Sequence, residues 1–189
     1  MNIWHDANKD RIKKDDFLAV IEISKGSKNK YELDKETGLI MLDRILYTST
    51  HYPANYGFIP LTYANDLDPL DVVVLCSESL VPYSLVRCYP IGVIRMIDGL
   101  YDDDKIIAIP YDDPNMNHYK DIVDVPNHII EEIKHFFMVY KNLEHKSTTG
   151  FKIDSKIIAE AIIEEALKSY EQNKENLKNI TRQPTVFVL

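Results

Sequence analysis

Cysteine is scarce in this chain: there are two among 189 residues. Cys76 and Cys88 both lie inside apolar, strand-like stretches. The expectation is two buried free thiols and a reduced, cytoplasmic setting, not a disulfide framework. No run approaches the ~18–20 apolar residues of a membrane span, so no membrane partner is expected. The opening MNIWHDANKDRIKKDD has no apolar centre and does not read as a signal peptide. Positive charge is also short, with 22 Lys and Arg against 30 Asp and Glu, a net charge of −8. That argues against a general nucleic-acid binder, whose affinity comes from cations neutralising phosphates. It leaves room for a local basic pocket. The phosphate loop GxxxxGK[ST] and the nucleophile elbow GxSxG are both absent. The six histidines, His51 included, form no metal-like pair and receive no catalytic role.

The length suits a single catalytic domain over 1–189, with a core at about 17–170 and a C-terminal extension over 173–189. The first two-thirds reads as strands. LAVIEIS (18–24) is rich in β-branched residues, and NKYELD (29–34) alternates, with Tyr31 and Leu33 on one face and Lys30 and Glu32 on the other. KETG (35–38) reads as a turn joining it to LIMLDRIL (39–46) in a hairpin. VVVLCS (72–77), LVRCYPIGVIRMID (85–98) and KIIAIPY (105–111) are further strands, with a bend or bulge expected at Pro90 and Gly92. Helical spacing comes late. It places Ile129, Ile133, Phe136, Phe137 and Tyr140 on one face of 126–142, with Pro126 in the first turn. It places Ile158, Ala161, Ile162, Ala166 and Tyr170 on one face of 155–178, with Asp154 or Ser155 as cap. RQPTVFVL, at the end, reads as a short strand or an extension. Closely spaced strands followed by helices predict an α+β fold with a small antiparallel sheet or barrel.

The motif with chemistry is DLDPLD (66–71), directly before the VVVL strand. Extended geometry puts Asp66 and Asp68 on one face, about 7 Å apart. Pro69 turns the chain, and Asp71 re-enters. Two unit charges ~4 Å apart repel by about 4 kcal/mol at an effective dielectric near 20. Converging carboxylates therefore either raise a pKa or recruit a cation. Oxygen ligands without His or Cys select Mg²⁺ or Mn²⁺ over zinc. A second acidic run, MIDGLYDDDK (96–105), supplies Asp98, Asp102, Asp103 and Asp104 after another strand. A calcium EF-hand is disfavoured. It needs glycine and glutamate at the sixth and twelfth loop positions, where Asp71 and Ser77 stand. Cations and hydroxyls that suit phosphate oxygens lie elsewhere: Lys30 and Arg44 on the hairpin, Tyr52 and Tyr56 in HYPANYGFIP, and Tyr140 with Lys141 after the first helix.

DLDPLDVVVL resembles the signature D-x-D-P-x-D of the soluble family I inorganic pyrophosphatases. VIEIS, KYELDKETG, DRIL, YPANYGFIP, RCYPIGVIRMID, DDDKIIAIP and HFFMVYKNLE resemble further family segments, in the family's order and over roughly residues 17–170. The resemblance implies an OB-like β-barrel with two C-terminal helices. It also implies hydrolysis of pyrophosphate with several Mg²⁺ ions, Mn²⁺ or Zn²⁺ being substitutes. By position it implies metal ligands at Asp66, Asp71, Asp98 and Asp103, and a general base at Asp68. Phosphate binding falls to Lys30, Arg44, Tyr56, Lys105, Tyr140 and Lys141, with Glu22, Glu32 and Tyr52 in support. Bacterial relatives are commonly hexamers and eukaryotic ones dimers, and the short chain favours a homo-oligomeric hexamer. One departure is Gly99, which stands where many bacterial members carry an acid. The rival readings are an OB-fold module for single-stranded nucleic acid, which would need a basic groove, and an inactive family member.

Overall fold

FLAVIEI forms strand β1 (Phe17–Ile23), buried at every position. Burial on both faces is why the run lacks polar alternation. The computed structural model describes residues 2–99 and 101–180. The remaining strands are β2 (Asn29–Leu33), β3 (Ile40–Ile45), β4 (Asn55–Phe58), β5 (Asp71–Val74), β6 (Leu85–Asp98), β7 (Tyr101–Asp102), β8 (Lys105–Pro110) and β9 (Thr148–Ser155). Among the described residues there are three α-helices: α1 (Ile3–Asp6), α2 (Asn127–Val139) and α3 (Lys156–Ile180). RQPTVFVL lies outside the described residues.

Five strands close on themselves in the order β1–β4–β5–β8–β6, because β6 pairs with β1 as well as with β8. This is the expected α+β barrel, with one correction: β5 and β8 run parallel. The strand β6 between them in sequence supplies the reversal, so no helical crossover is required. β6 serves four neighbours, β7 among them, by bending. It pairs β1 at its start, β8 in its middle and β9 at its end. The bend shows as a register shift between Pro90 and Gly92, where it was expected. β2 and β3 form a separate two-stranded ribbon. In its turn the Gly38 N–H reaches the Asp34 carbonyl at 2.8 Å with φ +75, a left-handed conformation that suits glycine. Gly57 is required for another reason. A Cβ there would lie 1.8 Å from the Val20 carbonyl oxygen, across the β1–β4 contact.

Four elements went unread in the sequence: α1, β4, β7 and β9. β4 is short and carries a glycine, and β9 (TTGFKIDS) alternates weakly. The helix faces also shift. In α2 the buried residues are Ile130, Ile133, Phe136 and Phe137, with Ile129 only partly covered. In α3 they include Ala159, Ile163, Ala166 and Tyr170, while Ile158 and Ala161 are exposed. Adjacent isoleucine pairs, 157–158 and 162–163, make two helical registers equally apolar, and packing chooses between them. Ser155, one of the two expected caps, stands directly before α3. The Asp121 carboxylate, distant in sequence, accepts from the Lys156 N–H at 3.3 Å.

The apolar side chains form two clusters. Val72 and Val74 join one with Trp4, Phe58, Ile163 and Tyr170; Val73 joins the other with Tyr56, Phe136 and Phe137. Each face of β5 is thus covered, which explains the unbroken VVV. Cys76 and Cys88 are free and buried, as expected.

α1 is pinned through His5, whose Nδ1 lies 2.8 Å from the Tyr170 hydroxyl and whose ring stacks on Trp4. Burial, aided by Lys178, lowers its pKa from 6.5 to about 4. The unfolded chain therefore takes up a proton that the fold resists. The stabilisation is present above pH 6.5 and is lost as pH falls toward about 4. Urea unfolding of wild type and His5→Asn across this window should show a shallower pH dependence for the variant. Parallel curves would exclude His5 as a source of the slope.

Candidate active site

The acid loop departs from extended geometry. Between β4 and β5 the chain turns at 64–68: the Leu67 N–H reaches the Ala64 carbonyl at 3.1 Å, and the Ala64 N–H reaches the Asp68 carbonyl at 2.8 Å. Leu67 sits at φ +70, a left-handed conformation that costs a non-glycine residue roughly 1–2 kcal/mol. The turn gives the two acids different neighbours. Asp66 accepts from the Asp68 N–H at 3.2 Å, and its side chain joins a group with Asp71 and Asp103 in which Asp103 is buried and the other two are half-buried. One carboxylate oxygen from each of Asp66, Asp71 and Asp103 lies within 4.8 Å of the other two.

Strand pairing places the centre of this group. Asp71 is the first residue of β5 and Lys105 the first of β8, and the parallel register sets them opposite each other. The buried Lys105 ammonium reaches Asp71 at 2.6 Å, Asp103 at 2.8 Å and the Tyr56 hydroxyl at 2.9 Å. Tyr56 in turn donates to Asp71. Burial works against the Lys105 charge, but Asp103 and Asp71 outweigh it and lift the pKa well above the usual lysine value. Burial and the neighbouring Asp71 and Asp103 charges raise Tyr56, which keeps its proton as a donor. Burial, then Asp71 and Asp103, push Asp66 up to about 7. Burial and the Asp71 charge raise Glu22 well above the carboxylate range, and its Oε1 accepts the Leu33 N–H at 2.7 Å.

A cleft of about 240 Å³ opens above the group. Among the site residues singled out in the sequence it is lined by Glu22, Lys30, Glu32, Tyr56, Asp66, Asp68, Asp71, Asp98, Asp103, Lys105, Tyr140 and Lys141. They come from six separate stretches of chain, so only the fold assembles them. Lys30 pairs with Glu32 and, at 3.0 Å, with Asp43. Lys141 pairs with Asp98. Two of the singled-out residues do not line the cleft. Arg44 is turned to Glu144, at 2.9 Å, and to Asp43. Tyr52 packs behind the cleft, against Tyr56 and Phe136, and with His51 lines a second cavity of about 300 Å³. The register of DDDK is settled by position: Asp103 faces the cleft, while Asp104 turns to Arg95 at 3.4 Å. Gly99 holds φ +64 in the turn after β6, which disfavours a side chain there. Sequence reading missed Lys35, which also lines the cleft. It lies in a turn 33 residues from its partner Asp68, with no local signal of the contact.

The lining holds seven carboxyl groups, from Glu22, Glu32, Asp66, Asp68, Asp71, Asp98 and Asp103, against four lysines. Three carboxylates this close, and an Asp66 that retains its proton near neutrality, are the environment a hard cation relieves. Asp66, Asp71 and Asp103 fit a divalent metal. Lys105→Met would strip the buried acids of their cation, at a cost of about 3 kcal/mol. Urea unfolding should show that loss in metal-free buffer and a smaller one with Mg²⁺ present. An equal loss in both conditions would argue that no metal shares the cage with Lys105.

With the geometry in place, similarity to known proteins gives it a family. The Pyrophosphatase family model, described as "Inorganic pyrophosphatase", matches residues 19–171. The chain is 40% identical over 174 residues to the "Inorganic pyrophosphatase" of Haloferax volcanii, covering 92% of this chain and 98% of that one. It is 53% identical over 143 residues to "Soluble inorganic pyrophosphatase PPA1" of Solanum tuberosum, covering 76% of this chain and 68% of that one. The solved inorganic pyrophosphatase of Helicobacter pylori superposes with a TM-score of 0.82 at 44% identity, covering 85% of this chain and 96% of that one. The protein belongs to the inorganic pyrophosphatase family.

Proposed function

We propose that this chain hydrolyses inorganic pyrophosphate to two orthophosphates with the help of divalent cations, Mg²⁺ first among them and Mn²⁺ or Zn²⁺ as substitutes. The observation that carries this reading is the three-carboxylate group within 4.8 Å, ringed by lysines in one cleft. Asp66, Asp71 and Asp103 would hold cations, and Asp98, at the rim beside Lys141, would hold one arriving with substrate. Bound divalent ions supply charge neutralisation and acidify water. Little covalent chemistry then remains for the protein, and positioning and electrostatics carry the rate.

Asp68 suits the general base. Its side chain is about half exposed and stands outside the three-acid group. It takes the proton of the attacking water as a new P–O bond forms and the bridging P–O bond breaks. Lys30, Lys105 and Lys141, with the hydroxyls of Tyr56 and Tyr140, would hold the phosphate oxygens. Arg44, opposite Lys30 in the ribbon, extends that set. Glu22, Glu32 and Tyr52 support these groups by hydrogen bonds, ion pairing and packing.

The catalytic domain is one unit with its core at about 17–170. No described helix is long and apolar enough to cross a membrane, and two free thiols support a cytoplasmic setting. A homo-oligomer, a hexamer before a dimer, is supported by the exposed Leu39, Met41, Leu42, Ile45 and Tyr47 of the ribbon region.

Phosphate release from pyrophosphate should require Mg²⁺, with ATP as a poor control substrate. Asp68→Asn should keep metal binding and lose about hundredfold or more in kcat. Asp71→Asn should shift the Mg²⁺ activation curve to higher concentration. Near wild-type turnover in Asp68→Asn sinks the base assignment, and an unmoved Mg²⁺ curve removes Asp71 as a ligand. Sedimentation equilibrium should return a multiple of 21.9 kDa, and a monomer mass would refute the assembly.

A further inference from the structure

Asp68 has a partner that its own motif does not supply. The Lys35 ammonium, at the start of the ribbon turn, forms an ion pair with Asp68 Oδ1. That oxygen is closed to solvent, although the Asp68 side chain as a whole is 50% exposed. The exposure therefore falls on the rest of the side chain.

The lysine is itself held at both ends. Its carbonyl accepts from Asn2 Nδ2 at 2.7 Å, and its ammonium lies 5.7 Å from the Trp4 ring centroid. The Trp4 indole is 1% exposed, and its Nε1–H reaches the Thr62 carbonyl at 2.8 Å. The Trp4 carbonyl accepts from the Leu61 N–H at 3.0 Å. Thr62 Oγ1 then takes the Leu70 N–H at 2.8 Å, on the far side of the acid loop. One buried indole thus fixes both the ribbon turn that carries Lys35 and the loop that carries Asp68.

We propose that Lys35 is a positioning residue for Asp68, and that Asn2 and Trp4 hold it in place. The inference rests on the reading of Asp68 as general base. By occupying Oδ1, Lys35 restricts rotation of the carboxylate and leaves the other oxygen toward the cleft. The pair itself contributes little to stability, because both side chains are 43% or more exposed and solvent screens them. Its loss should therefore appear in turnover and not in folding.

Steady-state hydrolysis of pyrophosphate with Mg²⁺ tests this in wild type, Lys35→Met, Lys35→Arg, Asp68→Asn and the Lys35→Met/Asp68→Asn double variant. Lys35→Met should lower kcat about tenfold, as misplacement of a reacting group does. Its KM should stay within about twofold of wild type, and its Tm should be unchanged. Lys35→Arg should recover most of the loss. In the Asp68→Asn background Lys35→Met should change nothing further, since the two act as one unit. Three results overturn the role: wild-type kcat in Lys35→Met, a raised KM at constant kcat, or the same fold-loss in both backgrounds. Failure of the underlying reading is separate and visible in Asp68→Asn alone. Wild-type turnover there removes the base, and the positioning role with it.

Discussion

Two strands that start side by side in the same direction hold the site together. The parallel pairing of β5 and β8 sets Asp71 opposite Lys105 at the barrel mouth. An antiparallel pair would put the start of one strand beside the end of the other and separate these residues. Lys105 then closes the arrangement by bonding Asp71, Asp103 and Tyr56 at once. A buried ion group of this kind is a poor source of net stability, because its desolvation consumes much of the Coulomb gain. Its value lies in holding Asp71 and Asp103 close together beside Asp66.

The barrel supplies the rigidity this needs. β5 is apolar at every residue after Asp71 because both of its faces are covered, one toward α3 and the other toward α2. Tyr56 belongs to the second cluster and to the cleft together, so core packing orients a site hydroxyl directly. Gly57 beside it lets β4 approach β1 so closely that no side chain fits. The ribbon and its turn sit at the rim. The β2–β3 ribbon lies outside the barrel and carries Lys30 and Glu32, and the turn that follows β2 carries Lys35. The N-terminal segment clasps that turn through Asn2 and Trp4.

The charge pattern reconciles an acidic protein with an anionic substrate. Carboxylates gather at the floor of the cleft, where cations would sit, and lysines stand around them. A tetra-anion then meets neutralised acids and ammonium groups, not the bare net charge of −8. Electrostatic preorganisation of this sort carries phosphoryl transfer.

Much of this was legible along the chain. The strand and hairpin signals of the first two-thirds and the two late helices come from local periodicity, which is a property of consecutive residues. The crowding of acids in DLDPLD, which must either raise a pKa or recruit a cation, follows from charge and spacing alone. What was not legible involved contacts distant in sequence. Helix faces slipped where adjacent isoleucines made two registers equivalent. Asp66 and Asp68 were expected in extended spacing, yet a left-handed Leu67 sends them to different neighbours. The distinction between Asp103 and Asp104, the turning of Arg44 to Glu144 and the pairing of Lys35 with Asp68 depend on which segments lie adjacent in space. The sequence by itself determined the chemistry available: hard acids, lysines, hydroxyls and a barrel to carry them. The tertiary structure alone decided the parallel register that joins Asp71 to Lys105. Strand direction is set by the closure of the whole ring, and no local pattern of residues encodes it.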